Sequence, residues 1–189
     1  MMRVITGNAK GVRLEAPAGE ETRPTAERCK EAMFSMIQFE VEGRRVLDLF
    51  AGSGQLGIEA LSRGARSAVF VDRSKAAAAV IRANLEKTKL AAQATLLNTD
   101  HLSFLRHPHG EKFDLVLLDP PYALGAIPTV LRELLRRELL LPGALLLCES
   151  GSADIFGGDE RLPAAFEIRR QVRHGAAFVT LLAPRGEEI

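Results

Sequence analysis

The chain has 189 residues, 47% of them hydrophobic and 26% charged, and a formal net charge of +1. That balance fits one soluble globular domain with a full core and does not fit nucleic-acid binding by bulk charge. The absence of an eighteen-residue apolar run or a signal-like N-terminus excludes a membrane span and predicts a cytoplasmic protein. Its two cysteines, Cys29 and Cys148, match no metal spacing and read as reduced structural thiols.

In chain order, RVIT and VRLEA flank a Gly7-Asn8 turn and predict an N-terminal β-hairpin carrying Arg3, Lys10 and Arg13 with no acid before Glu15. A polar connector, Pro17 to Pro24, leads to a helix over TAERCKEAMFSMIQF with Thr25 as N-cap. Residues 1–40 therefore read as an appendage and 41–189 as the main domain. From Arg44, short apolar runs alternate with helical patterns. RVLDLF, SAVFVD, ATLLN, FDLVLLD and ALLLCES read as strands. The helices between them are GQLGIEALSRG, SKAAAAVIRANLEKTK with Ser74 as cap, DHLSFLRH and IPTVLRELLRRELL. FEIRRQVRH and AAFVTLLAP, joined tightly around Gly175, must pair antiparallel. The sum is an α/β fold. It is a doubly wound, mostly parallel seven-stranded sheet with a C-terminal antiparallel hairpin, plus the N-terminal β-hairpin and helix.

Ligands of such sheets sit beyond the carboxyl ends of the strands. Four polar clusters fall there: Asp48 with the loop Phe50-Ala51-Gly52-Ser53-Gly54, Asp72, Asn98-Thr99-Asp100, and Asp119-Pro120-Pro121-Tyr122. Gly52, Gly54 and Gly57 spell G-x-G-x-x-G, with Asp72 twenty residues after Gly52, so the loop alone leaves an NAD-type oxidoreductase open. Asp100 reads equally as a cap for the helix that follows it. Asp-Pro-Pro-Tyr is the discriminating motif. The prolines stiffen the chain and remove donors, the Asp119 carboxylate and the Pro120 carbonyl can accept the two hydrogens of an exocyclic amino group, and Tyr122 can stack on a planar base. Gly57 then reads as a helix–strand packing residue. His107 and His109 have no third ligand at a sensible spacing, so no metal is expected.

FAGSG and DPPY resemble the S-adenosylmethionine-dependent methyltransferases that act on amino groups of nucleic acids. RPTAERCKEAMF, GIEALSRGA, FVD, NTD and RHGAAFVTLL, in this order, are similar to the RsmD-like family, guanine-N2 methyltransferases of 16S ribosomal RNA. The resemblance implies a Rossmann-like fold, S-adenosylmethionine as cofactor, and small-subunit rRNA as partner, within an assembling or assembled 30S subunit; a monomer is expected. It implies that Phe50 to Gly54 wrap the methionine part and that Asp48 steadies the loop or the cofactor's amino group. Asp72 would meet the ribose, Asp100 the adenine, and Arg23, Pro24 and Thr25 would close over the cofactor. Asp119, Pro120, Pro121 and Tyr122 would hold the target guanine, and Arg3, Lys10 and Arg13 would grip RNA. Gln55 and His101 depart from the family's usual small residues. An adenine-N6 methyltransferase shares the DPPY chemistry, and an RNA-binding module without catalysis is the non-enzymatic alternative.

Overall fold

The computed structural model describes residues 2–18, 24–107 and 110–186, the side chains of 24–26 excepted. Its strands are β1 Arg45–Asp48, β2 Ser67–Val71, β3 Ala94–Leu97, β4 Phe113–Leu118, β5 Leu140–Ser150, β6 Phe166–His174 and β7 Ala177–Pro184. They form one seven-stranded sheet in the order β3-β2-β1-β4-β5-β7-β6. β1 to β5 pair in parallel, and β7 pairs antiparallel with both β5 and β6. The order turns back between β1 and β4, which makes that gap the switch point. The helices are α1 Pro24–Met36, α2 Gln55–Ser62, α3 Lys75–Thr88, α4 His101–Arg106, α5 Ile127–Arg136 and α6 Leu162–Ala165.

The central strands are apolar on both sides because helices cover both faces. Successive side chains alternate between them. Val46, Leu115, Leu117, Leu145 and Leu147 pack with Phe34, Ile58 and Ile81 on one face. Leu47, Val116, Leu118, Leu146 and Cys148 pack with Phe104, Val130 and Leu134 on the other. Ser74 caps α3 as expected, its side chain accepting from the Ala77 N–H at 3.2 Å.

Two elements depart from the sequence reading. The helix expected over 127–140 stops at Arg136. Glu138 takes a left-handed φ of 52°, and the Leu139 N–H returns to the Leu134 carbonyl at 3.0 Å. Leu140 instead opens β5 beside Phe113, so sheet pairing overrides a leucine run that suits either element. The N-terminal hairpin is reduced to a single bridge, Arg3 to Arg13, rather than two strands. Val4 N and Leu14 N donate across it to the Val12 and Met2 carbonyls at 3.0 Å, and side chains of the domain beneath take further backbone donors. Glu59 accepts from Ile5 N and Thr6 N at 2.8 and 3.0 Å, and Ser62 Oγ accepts from Ala9 N at 2.9 Å. Asn84 exchanges two hydrogen bonds with the Glu15 backbone. At Gly7, with φ +87°, a Cβ would lie 1.7 Å from the Ser62 carbonyl, so only glycine permits this approach. Met2, Val4 and Leu14 share a hydrophobic cluster with the sheet.

Candidate active site

The chain leaves β1 at Asp48 and turns through a loop pinned to its neighbours. Leu49 N donates to the Leu117 carbonyl, Ala51 N to the Val71 carbonyl at 3.1 Å, and Gly52 N to Asp72 Oδ2 at 2.8 Å. Gly52 and Gly54 both hold positive φ, and α2 begins directly after Gly54. A Cβ at Gly52 would meet no atom within 4 Å, so that side of the loop faces open space. Ser53, behind it, is buried, with its carbonyl taking the Asn84 Nδ2–H at 2.9 Å and its hydroxyl 3.3 Å from Met2 Sδ. The N-terminal segment thus buttresses the loop. Gly57 does pack helix against strand: a Cβ there would lie 2.3 Å from Phe70 Cε1. Its N–H donates to Asp48 Oδ2 at 2.9 Å.

Asp48 is 1% exposed, and its Oδ1 has no hydrogen-bond partner among the described residues. Burial, opposed by the Gly57 N–H and aided by Asp72, pushes its carboxyl up to about 7. Asp72 ends β2 half-buried; beyond its bond to Gly52, its Oδ1 accepts from Ser74 N at 2.8 Å. Asn98 Nδ2 donates to the Asp72 carbonyl at 2.9 Å and ties the end of β3 to the end of β2. Asp100 Oδ1 caps α4 through Leu102 N and Ser103 N, and the bonds from Ser103 hold its carboxyl below the usual range. His101 lies against Phe50, ring centroids 4.8 Å apart, and burial lowers its pKa.

Across the switch point stands Asp119, half-buried at the end of β4. Burial, then Glu149, then Asp48 push its carboxyl up to about 8. Tyr122, on the turn Tyr122–Leu124, donates its hydroxyl to Glu149 Oε1 at 2.6 Å, and burial pushes its phenol up. Its ring rests on Gly151, where a Cβ would come within 2.9 Å of Cδ2. The buried Cys29 of α1 faces the same carboxylates; burial, Glu149 and Asp119 push its thiol up to about 11.

The structure thus gathers Asp48, the 50–54 loop, Asp72, Asp100 and Asp119 to Tyr122 at one rim. Arg23 lies outside the described residues, as do the side chains of Pro24 and Thr25 and the whole of His109. The hairpin is directed elsewhere. Asn8 N bonds the Ser62 carbonyl, at the end of α2 remote from Gly54, which carries the neighbouring Lys10 away from the rim. Lys10 and Arg13 are exposed, and Arg3 Nε pairs with Glu27 at 3.1 Å. Sequence reasoning missed Glu149. Its signal was available, because it lies at the carboxyl end of the fifth strand as Asp119 lies just past the fourth.

The two raised carboxyls make a pH prediction. Folded Asp48 and Asp119 hold protons that the unfolded chain releases near 3.8. Between about pH 4 and 8 the folded state binds more protons, so stability falls as pH rises. Asp100, Glu133 and Asp159 are lowered, so their contribution is lost only below their ordinary range, whereas the lowered His101 opposes the trend near its ordinary range as one group against two. The melting temperature of the ligand-free protein is expected to be roughly 5 °C higher at pH 5.5 than at pH 8. Calorimetry at the two pH values checks this, and the reverse order contradicts it.

Residues 2–183 match the model of a family described as conserved hypothetical protein 95. The chain is 44% identical over 138 residues to Bacillus subtilis YlbH, covering 70% of this chain and 74% of that one. It is 36% identical over 151 residues to ribosomal RNA small subunit methyltransferase D of Haemophilus influenzae, covering 79% and 78% of the two chains. The solved structure of Escherichia coli yhhF aligns with a TM-score of 0.83 at 29% identity over 97% of both chains. With that family's model spanning nearly the whole chain, this protein belongs to the conserved hypothetical protein 95, or RsmD-like, family.

Proposed function

We propose that this protein transfers a methyl group from S-adenosylmethionine to the exocyclic N2 of a guanine in small-subunit ribosomal RNA. The observation that carries the reading is the pairing of β1 with β4, which sets the open glycine loop and the Asp119–Tyr122 loop on either side of the switch point. The small-subunit rRNA methyltransferase among the relatives supports the substrate class.

The loop side fits a cationic, diol-bearing cofactor. Gly52 is open, and the buried Asp48 Oδ1 is an acceptor in want of a donor, as an ammonium group supplies. Asp72 suits the ribose of either cofactor, so it is the Asp119–Tyr122 loop, built to accept an amino group, that disfavours the NAD-type reading. Residues 50–54 would line the methionine part, Asp72 would take the ribose hydroxyls, Asp100 would flank the adenine, and Arg23, Pro24 and Thr25 would close from the N-terminal side. Asp72→Ala is expected to weaken S-adenosylmethionine binding roughly 10- to 100-fold, measured by calorimetric titration. Unchanged affinity contradicts the ribose role.

The cofactor, when bound, supplies a methyl group on a positively charged sulfur. The protein's part is to ready the acceptor. A guanine amino lone pair is delocalised into the ring. Asp119 and the Pro120 carbonyl accept its two hydrogens and localise that pair on nitrogen. Pro121, with φ −53°, holds the loop rigid, and Tyr122 supports the base face. In its ionised form Asp119 takes the proton that the alkylated nitrogen sheds. Positioning and fixed dipoles provide most of the acceleration. The base must leave its stack to reach this rim, so a splayed nucleotide is the expected target.

Residues 1–40 would serve as RNA contact and cofactor lid, with the protein acting as a monomer. Neutralising Arg3, Lys10 and Arg13 together is expected to weaken RNA binding and to reduce its salt slope by about two to three. An unchanged slope removes the hairpin from the RNA footprint. The function itself is tested by labelled methyl transfer to rRNA from cells lacking this protein. Incorporation confined to small-subunit RNA supports it, and none overturns it.

A further inference from the structure

The DPPY motif accepts an amino group but does not tell guanine from adenine. The residue beside it can. β4 and β5 are paired in parallel with Leu118 opposite Cys148, so Asp119, the first residue past β4, and Glu149, next to last in β5, stand in adjacent register. Glu149 is half-buried, and one oxygen takes the Tyr122 hydroxyl at 2.6 Å. Tyr122 is itself seated on Gly151, so the carboxylate is held by a turn that the backbone fixes. Two acidic side chains in a row at one rim make an acceptor pair. They match a ligand edge with two adjacent donors.

Guanine presents such an edge, its amino group next to N1–H. Adenine presents an amino group next to a bare N1 lone pair. We propose that Glu149 selects guanine, accepting N1–H beside the amino group held by Asp119 and repelling a base whose N1 carries a lone pair. The inference rests on the proposed guanine-N2 reading. A site that pairs a substrate N–H with a buried acceptor rejects the analogue lacking it far more strongly than packing alone does. The Tyr122 hydroxyl keeps Glu149 in register.

The test uses full-length protein and short RNAs that carry, at the mapped target position, either guanine or 2-aminopurine. The second base keeps the amino group and lacks N1–H. Wild type is expected to favour guanine RNA roughly 100-fold in kcat/KM, and Glu149→Gln to narrow that preference at least about tenfold. The narrowing comes from a lost rate on guanine and a retained rate on 2-aminopurine, because the amide can donate to a bare N1. The fluorescence-measured Kd of the 2-aminopurine RNA should fall in the variant. Tyr122→Phe, which leaves Glu149 in place without its tether, should narrow the preference in the same direction by less, and stands in if Glu149→Gln does not fold. Equal slowing on both RNAs, with the preference unchanged, overturns the inference alone. A wild type that methylates no small-subunit RNA, or methylates adenine, overturns the guanine-N2 reading and the inference with it.

Discussion

Asp119→Ala is expected to lower methyl transfer by roughly 10³-fold while S-adenosylmethionine binds with an affinity within about threefold of wild type. The separation follows from geometry. Asp119 ends β4, whereas the loop at Gly52 is held from the β1 and β2 side by Val71 and Asp72. The same substitution should stabilise the ligand-free fold at pH 8. Burial, Glu149 and Asp48 all work against ionisation of this carboxyl, so removing it relieves a cost that the folded state carries. Loss of activity with a gain in melting temperature marks a group kept for chemistry. Full activity in the variant contradicts its role, and a large loss of cofactor affinity would place it on the wrong side of the site.

Glu59→Ala carries the largest expected effect on stability. Its side chain is fully buried and accepts from Ile5 N, Thr6 N and Arg63 Nε, with Lys30 Nζ at 3.7 Å. Lys30 is itself 1% exposed, and burial lowers its pKa even beside Glu59. Removing the carboxylate leaves the buried ammonium with its bond to the Arg3 carbonyl at 2.6 Å but without its buried counter-charge, and strands two backbone donors, which costs about 3–5 kcal/mol, or roughly 10 °C in Tm. Replacing both partners with apolar residues, Lys30→Met with Glu59→Leu, should recover part of the loss relative to Glu59→Leu alone. The N-terminal segment also reaches the glycine loop through Met2, and through Glu15 and Asn84. Cofactor affinity should therefore fall with stability in Glu59→Ala. A Tm change under about 2 °C contradicts the view that Glu59 fastens the segment to the domain.

The strands and most helices were legible because their signals are local. Apolar runs bounded by Gly64, Ser74 or Gly175 mark buried strands and capped helices, and the strand-end rule places Asp48, Asp72, Asp100 and Asp119 at one rim. The end of α5 was not legible: Glu138 adopts a conformation ordinarily left to glycine, and only pairing with Phe113 makes Leu140 a strand residue. The hairpin's attachment was hidden for a related reason. Glu59, Ser62 and Asn84 look like ordinary polar helix residues until the chain returns over them. Asp100 carried two readings in the sequence, and its bonds to Leu102 N and Ser103 N make it a helix cap. Glu149 escaped because the motif beside it is so distinctive, although it obeys the same strand-end rule.

The most direct test of the account is the identity of the methylated nucleoside. Small-subunit rRNA from cells lacking this protein is treated with the purified chain and labelled S-adenosylmethionine, digested to nucleosides and resolved by mass spectrometry. The account predicts N2-methylguanosine at a single position, absent with Asp119→Ala. Label in N6-methyladenosine, or no label in small-subunit RNA, contradicts it.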